Sequence, residues 1–175
     1  MILTLIGMPG SGKSTVGRQL SRRLQLPFFD SDHVIEQRLG CPIKDYFARE
    51  GEAAFRDVEE QVIAELASQA GCVLATGGGA VLREANRRKL HESTQVVYLR
   101  SSAEEVYRRV RHNQNRPLLQ VEDPLARLRT LLAERDPLYR ATAHFVIETG
   151  RPSVPTLVNM IVMQLELAGL LPPPP

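Results

Sequence analysis

The chain has 175 residues, 43% of them hydrophobic and 24% charged, which suits one soluble globular domain with a buried core. Lys and Arg outnumber Asp and Glu by 22 to 20, a net charge of +2 that is too small to imply a nucleic-acid partner. Cys41 and Cys72 form no CxxC pair, no apolar run reaches membrane-spanning length, and "MILTLIG" is too short for a signal peptide, so a reduced, cytoplasmic setting is expected.

Short apolar runs alternate with longer helical patterns. "ILTLI" (2–6) reads as a buried strand, and residues 13–25 carry Val16, Leu20 and Leu24 as a helical stripe. "PFFD" (27–30) is a short strand that ends on an acid. Helical patterns follow at 32–39 and 43–70, the second broken near Gly51. "CVLATGGG" (72–79) is a strand that runs into three glycines. A helix near 82–90 leads to "QVVYL" (95–99), the clearest strand, and to a helix at 102–112. "NQNRPLLQVED" (113–123) is a polar loop. A helix at 124–135, the strand "HFVIE" (144–148) and a helix at 154–168 complete the pattern. The closing prolines, 172–175, are expected to be a frayed tail.

Five strands separated by helices imply an α/β fold with a parallel sheet covered on both faces. Ligands of such sheets sit beyond the carboxyl ends of the strands. The glycine loop, Asp30 with Asp32, and Gly77 to Gly79 all fall there. One domain is expected over 1–171, with segments 31–60 and about 112–123 as excursions over the site.

"GMPGSGKST" (7–15) fits G-x-x-x-x-G-K-[ST] between a strand and a helix. Glycines let the backbone curl so that its N–H groups face phosphate oxygens, and the helix that follows aims its positive end there. Lys13 would reach the β- and γ-phosphates and Ser14 would ligate Mg²⁺. The loop therefore points to a nucleoside triphosphate. A lysine and a hydroxyl would have no purpose against the pyrophosphate of a dinucleotide.

"FFDSD" sets Asp30 and Asp32 two apart, facing the same way if the backbone is extended. One acid could hold hydrated metal and the other could meet an acceptor hydroxyl; capping of the next helix is the plainer reading. "TGGGA" (76–80) suits a ligand that must touch backbone, or only a flexible turn. Most arginines are read as solvated surface. Arg116 differs, because it sits in a loop that could close over a nucleotide and bring charge to the transferring group. The four histidines have no metal-ligand spacing and read as structural or exposed.

Together these residues resemble the shikimate kinase family. The resemblance covers about residues 2–168 and rests on "GMPGSGKSTVG", "FFDSDHVIE", "FAREGEAAFRDVEE", "LATGGGAV", "NRPLL" and "ERDPLY". It implies a three-layer P-loop kinase with a five-stranded parallel sheet of order 2-3-1-4-5. It also implies transfer of the γ-phosphate of ATP to the 3-hydroxyl of shikimate, on the way to chorismate and the aromatic amino acids. By the same resemblance, Gly10, Ser11, Gly12, Lys13, Ser14 and Thr15 would hold ATP, with Ser14 on Mg²⁺ and Asp30 linked to the metal through water. Asp32 would meet the shikimate hydroxyls. Arg56 and Arg135 would clamp its carboxylate, and Gly77, Gly78 and Gly79 would approach it, Gly78 through backbone. Arg116 would come from the lid, about 112–123, and Arg109 would lie over adenine. The adenine-side loop departs from the family pattern as "TGRPSVP", where Arg151 is the candidate contact. ATP and shikimate are the expected partners of a monomer that binds neither nucleic acid nor membrane. A kinase for another polyol acid such as gluconate, and a nucleotide-binding module without transfer, are the alternatives. The retained Lys13, Asp32 and arginines speak against the second.

Overall fold

The computed structural model describes residues 1–111, 121–150 and 152–172. Its centre is one sheet of five strands: β1 (Ile2–Ile6), β2 (Phe28–Asp30), β3 (Cys72–Ala75), β4 (Gln95–Arg100) and β5 (Phe145–Glu148). All neighbours are parallel, and the order is β2-β3-β1-β4-β5, as the resemblance implies.

Alternation along β1 divides the core. Leu3 and Leu5 face α1 (Lys13–Leu24) and α8 (Val154–Leu167), where Val16, Leu20, Leu157, Ile161 and Leu165 bury them. Ile2 and Ile6 face the other layer, built from α4 (Glu52–Leu66), α5 (Glu84–Ser93), α6 (Ala103–Val110) and α7 (Pro124–Thr142). With both faces covered, β1, β3 and the middle of β4 are wholly buried, which is why they read as continuous apolar runs.

The expected helix over 43–70 divides at Gly51, whose φ of 90° suits glycine, into α3 (Ile43–Glu50) and α4. The expected strand 72–79 ends sooner, at Ala75, and the glycines form a turn that leads into a 3₁₀ turn at Ala80–Leu82. The helix expected over 124–135 runs on to Thr142, straight through Pro137. Tyr139 and Thr142 continue its buried face beyond the proline, and that packing outweighs the lost backbone hydrogen bond.

The sheet's far end carries two of the histidines. His91 and His144 stack with ring centroids 4.2 Å apart, and His144 Nδ1 accepts from the Val96 N–H. Burial pushes the His144 pKa down. His91 Nδ1 lies 3.0 Å from the Thr142 carbonyl, so both rings are tied to backbone there.

Candidate active site

The carboxyl ends of β1, β2 and β3 converge on one cleft. After β1 the chain enters the glycine loop. Gly7, Gly10 and Gly12 have φ of 153°, 80° and 92°, the region that other residues seldom enter. Lys13 opens α1, and no side chain caps that helix, so its first-turn N–H groups are open to an anion. The Lys13 ammonium lies back over the loop and donates to the carbonyls of Gly7 and Met8 at 2.7 and 2.8 Å. Ser11 Oγ is buried without a hydrogen-bond partner. An orphaned hydroxyl in a loop of this shape fits a bound phosphate oxygen.

Ser14 Oγ donates to Asp30 Oδ2 at 2.8 Å. Asp30 ends β2 and is also the N-cap of α2 (Ser31–Leu39), with Oδ1 accepting from the N–H groups of Asp32 and His33. Capping and a bond to the loop hydroxyl are thus both present in one carboxylate. A hydroxyl beside a carboxylate oxygen is a hard donor set, of the kind that suits Mg²⁺. The two acids do not share one face of a strand. Asp32 stands in the first turn of α2, because the cap at Asp30 starts the helix there.

The Asp32 carboxylate presses against Gly77. A Cβ on that glycine would fall 2.6 Å from Oδ1. Burial, reinforced by the negative charges of Asp30 and Glu59, raises the Asp32 pKa to about 6, with Lys13 pulling the other way. A carboxyl so placed is still mostly ionised at neutral pH but holds a proton better than an exposed acid does.

Each glycine of 77–79 meets a different neighbour. A Cβ on Gly78 would fall 2.6 Å from Pro9 of the phosphate loop, and one on Gly79 would collide with the Arg56 guanidinium. Gly78 is fixed by crowding against a proline ring, whereas a methyl at 77 or 79 would displace the end of a side chain.

Arg56, on α4, bonds Glu59 Oε1 at 2.7 Å, and Glu59 is only 1% exposed. Burial raises the Glu59 pKa, and Arg56, Arg135 and Arg83 oppose it. Arg56 Nε has no hydrogen bond, nor does Arg135 Nε. Both arginines act on the Tyr139 hydroxyl, so α4 and α7 bring them to one place from 79 residues apart in sequence (135 − 56). Arg56 Nε also pairs with Glu52 Oε1, at 3.6 Å and on the exposed side, yet two cations with buried Nε–H groups that make no hydrogen bond still suit an anionic ligand.

Gly10, Gly12, Lys13, Ser14, Thr15, Arg109 and Val110 line a cleft of about 330 Å³. Arg109 reaches the carbonyl of Gly10 at 3.3 Å and that of Thr149 at 3.5 Å, on the β4–β5 side and away from Arg56. Arg116 and Arg151 lie outside the described residues, as does most of the expected lid.

Pro9, Glu59 and Tyr139 each stand in a quoted motif, but the sequence alone marks no role for them. An acid on a helix reads as solvent-facing, and only the spacing of Arg56 and Glu59, i and i+3, hinted at their pairing.

The family model described as shikimate kinase matches residues 9–166. A shikimate kinase of Paracidovorax citrulli is 64% identical over 98% of this chain and 95% of its own length. Another, of Ralstonia nicotianae, is 59% identical over 97% of this chain and 89% of its own. Among solved structures, a shikimate kinase from Acinetobacter baumannii in complex with shikimate superposes with a TM-score of 0.91 at 46% identity. That match covers 97% of this chain and 94% of the other.

Proposed function

The chain belongs to the shikimate kinase family, and on that premise we propose how its residues divide the work. The enzyme transfers the γ-phosphoryl group of ATP to the 3-hydroxyl of shikimate, giving shikimate 3-phosphate and ADP, a step of aromatic amino-acid biosynthesis.

Residues Gly10 to Thr15 hold the phosphates of ATP through loop N–H groups. Lys13 leaves its own loop carbonyls for the β- and γ-phosphates and follows the charge into the transition state. Ser14, with Asp30 through water, would hold Mg²⁺, which supplies charge neutralisation to the phosphate oxygens. Arg109 flanks the adenine, and Arg151 is assigned to the same side. Arg116, from the segment about 112–123, brings a further charge to the transferring group.

Arg56 and Arg135 clamp the shikimate carboxylate, each through the paired N–H groups that a guanidinium offers to a carboxylate. Gly78 and Gly79 carry the ring close to backbone, and Asp32 takes the 3-hydroxyl. The hydroxyl oxygen attacks the γ-phosphorus as the bond to the β–γ bridging oxygen breaks. Its proton passes to Asp32, and ADP departs with the bridging oxygen. The observation that carries this reading is the glycine turn, which sets the acid of Asp32 beside Gly77 and the cation of Arg56 beside Gly79. The two ends of a small carboxylic acid are thereby given separate partners across one short turn.

The segment 31–60 is the acceptor-binding excursion of a single domain. The enzyme is proposed to act as a monomer in the cytoplasm, where ATP is plentiful. No helix among the described residues is long and apolar enough to cross a membrane. Purified protein with ATP, Mg²⁺ and shikimate, quinate or gluconate tests the assignment through ADP release. Release with shikimate alone is expected, and equal release with gluconate would overturn the acceptor assignment.

A further inference from the structure

Tyr139 lies on α7, one turn beyond Arg135, and is fully buried. Its ring packs on Tyr98 with centroids 4.8 Å apart. Its hydroxyl donates to the Gly78 carbonyl at 2.6 Å. The direction of that bond is fixed, since a carbonyl only accepts. The hydroxyl has one proton, so its lone pairs stay open toward the nearby Arg135 side chain, which only donates. One oxygen therefore joins the glycine turn to Arg135, two groups from separate elements.

We infer that Tyr139 is a positioning residue for the acceptor: its hydroxyl sets the Arg135 guanidinium and the Gly78–Gly79 peptide in register for the shikimate carboxylate. This rests on the assignment of Arg135 and the glycine turn to that ligand. A peptide unit is planar and trans, so fixing the Gly78 carbonyl also aims the Gly79 N–H, in the opposite direction. The other two carbonyls of the run are held within it, by Ala80 N–H on Gly77 and Leu82 N–H on Gly79, both at 3.1 Å. The middle carbonyl takes its bond from a different element. Glycine leaves a peptide the widest freedom to rotate, so the middle unit of a triple glycine gains most from such a tether. A guanidinium has five N–H donors, so one turned to the Tyr139 hydroxyl would leave others for a carboxylate.

The bland alternative is a core tyrosine that merely found a partner for its hydroxyl. Tyr139→Phe removes the hydroxyl and keeps the ring on Tyr98. Tyr98→Phe is the control, since it also removes one hydroxyl from the same ring pair, there bonded to Asp136 at 2.7 Å. Affinities for shikimate and for ATP are measured by calorimetry on both variants, on Arg135→Ala, and on the Tyr139→Phe/Arg135→Ala double variant. Tyr139→Phe is expected to weaken shikimate about tenfold, the scale of one hydrogen bond to a charged or polar group, and ATP less than twofold. Tyr98→Phe should move neither affinity beyond twofold. In the Arg135→Ala background the loss from Tyr139→Phe should shrink to threefold or less.

Loss from Arg135→Ala with none from Tyr139→Phe overturns this inference and leaves the clamp standing. No loss from Arg135→Ala removes the clamp and this inference with it. Equal weakening of both ligands, a matching shikimate loss in Tyr98→Phe, or full additivity with Arg135 reduces Tyr139 to a core residue. Fluorotyrosine at position 139 covers the case of a phenylalanine variant that does not fold. It keeps the ring and hydroxyl but alters donor strength; shikimate affinity is expected to shift, and an unchanged value overturns the proposal.

Discussion

Ser14 Oγ and Asp30 Oδ2 meet at 2.8 Å, joining the start of α1 to the end of β2. The same aspartate caps α2 with its other oxygen. Asparagine caps nearly as well as aspartate but carries no charge for a hydrated cation. Asp30→Asn should therefore leave the thermal midpoint within a few degrees. It should raise the Mg²⁺ concentration for half-maximal rate about tenfold, the usual scale for an outer partner of a metal. A magnesium titration and a melting curve on the same sample check both halves; an unchanged magnesium requirement would reduce Asp30 to a cap.

Lys13 donates to the carbonyls of Gly7 and Met8. Lys13→Ala removes the only side-chain cation the loop itself contributes, while its amides still bind phosphate. We expect kcat to fall by about 10² or more, with the circular dichroism spectrum retained. Near-normal turnover in a folded variant would dismiss the phosphate-loop role.

Asp32 offers two readouts of opposite sign. Asp32→Asn should lower kcat by about 10², the low end for a lost general base, because phosphoryl transfer of dissociative character needs the base less. The same change should stabilise the ligand-free protein at pH 8. The folded-state pKa of about 6 lies above the ordinary 3.8, so the fold favours the neutral acid. That contribution is complete below about pH 4 and is lost as pH rises through 6. The amide has no charge to desolvate, so its advantage appears only above that range, with a ceiling near 3 kcal/mol. Melting curves at pH 4.5 and pH 8 separate the cases. A variant less stable at both would show that the carboxylate is held by favourable contacts.

Arg56→Ala and Arg135→Ala should each weaken shikimate by about one to two decades, from about 1.5–3 kcal/mol for a charge-assisted contact. ATP should bind as before, since neither side chain is assigned to nucleotide. Arg56→Ala carries a second cost, because it strands Glu59 in a site where the acid is 1% exposed. Arg56→Ala/Glu59→Gln should recover stability but not shikimate affinity. Separate titrations with the two ligands decide the matter, and loss confined to ATP would remove both arginines from the acceptor.

The layered fold was legible in the sequence because its signals are local. A strand buried on both faces has to be an apolar run, and a helix on a sheet has to show a stripe; β1, β4 and α8 obey. The strand order came from the resemblance, since pairing is a long-range choice. The glycine loop was legible because its chemistry needs those residue types at that spacing. The end of α7 was hidden because Pro137 is a stop signal, and the packing of Tyr139 that overrides it is tertiary. Glu59 was hidden for the same cause: beyond its i, i+3 spacing from Arg56, nothing local marks an acid that α4 will bury. Asp32 was expected to open the helix at 32–39, and what stayed hidden was its facing relative to Asp30, because an extended D-x-D and a capped helix start look alike in letters.

The glycine run at 77–79 looks like one feature in the sequence, yet a mutational scan would record three. A methyl at 77 displaces the acid of Asp32, one at 78 drives into Pro9, and one at 79 displaces Arg56. Loss at 77 should therefore surface in turnover, loss at 78 in both nucleotide and acceptor affinity, and loss at 79 in acceptor affinity alone. Alanine should be worst borne at 78, where the neighbour is a proline ring, whereas at 77 and 79 what moves is the end of a side chain, and the loss is of placement rather than of packing.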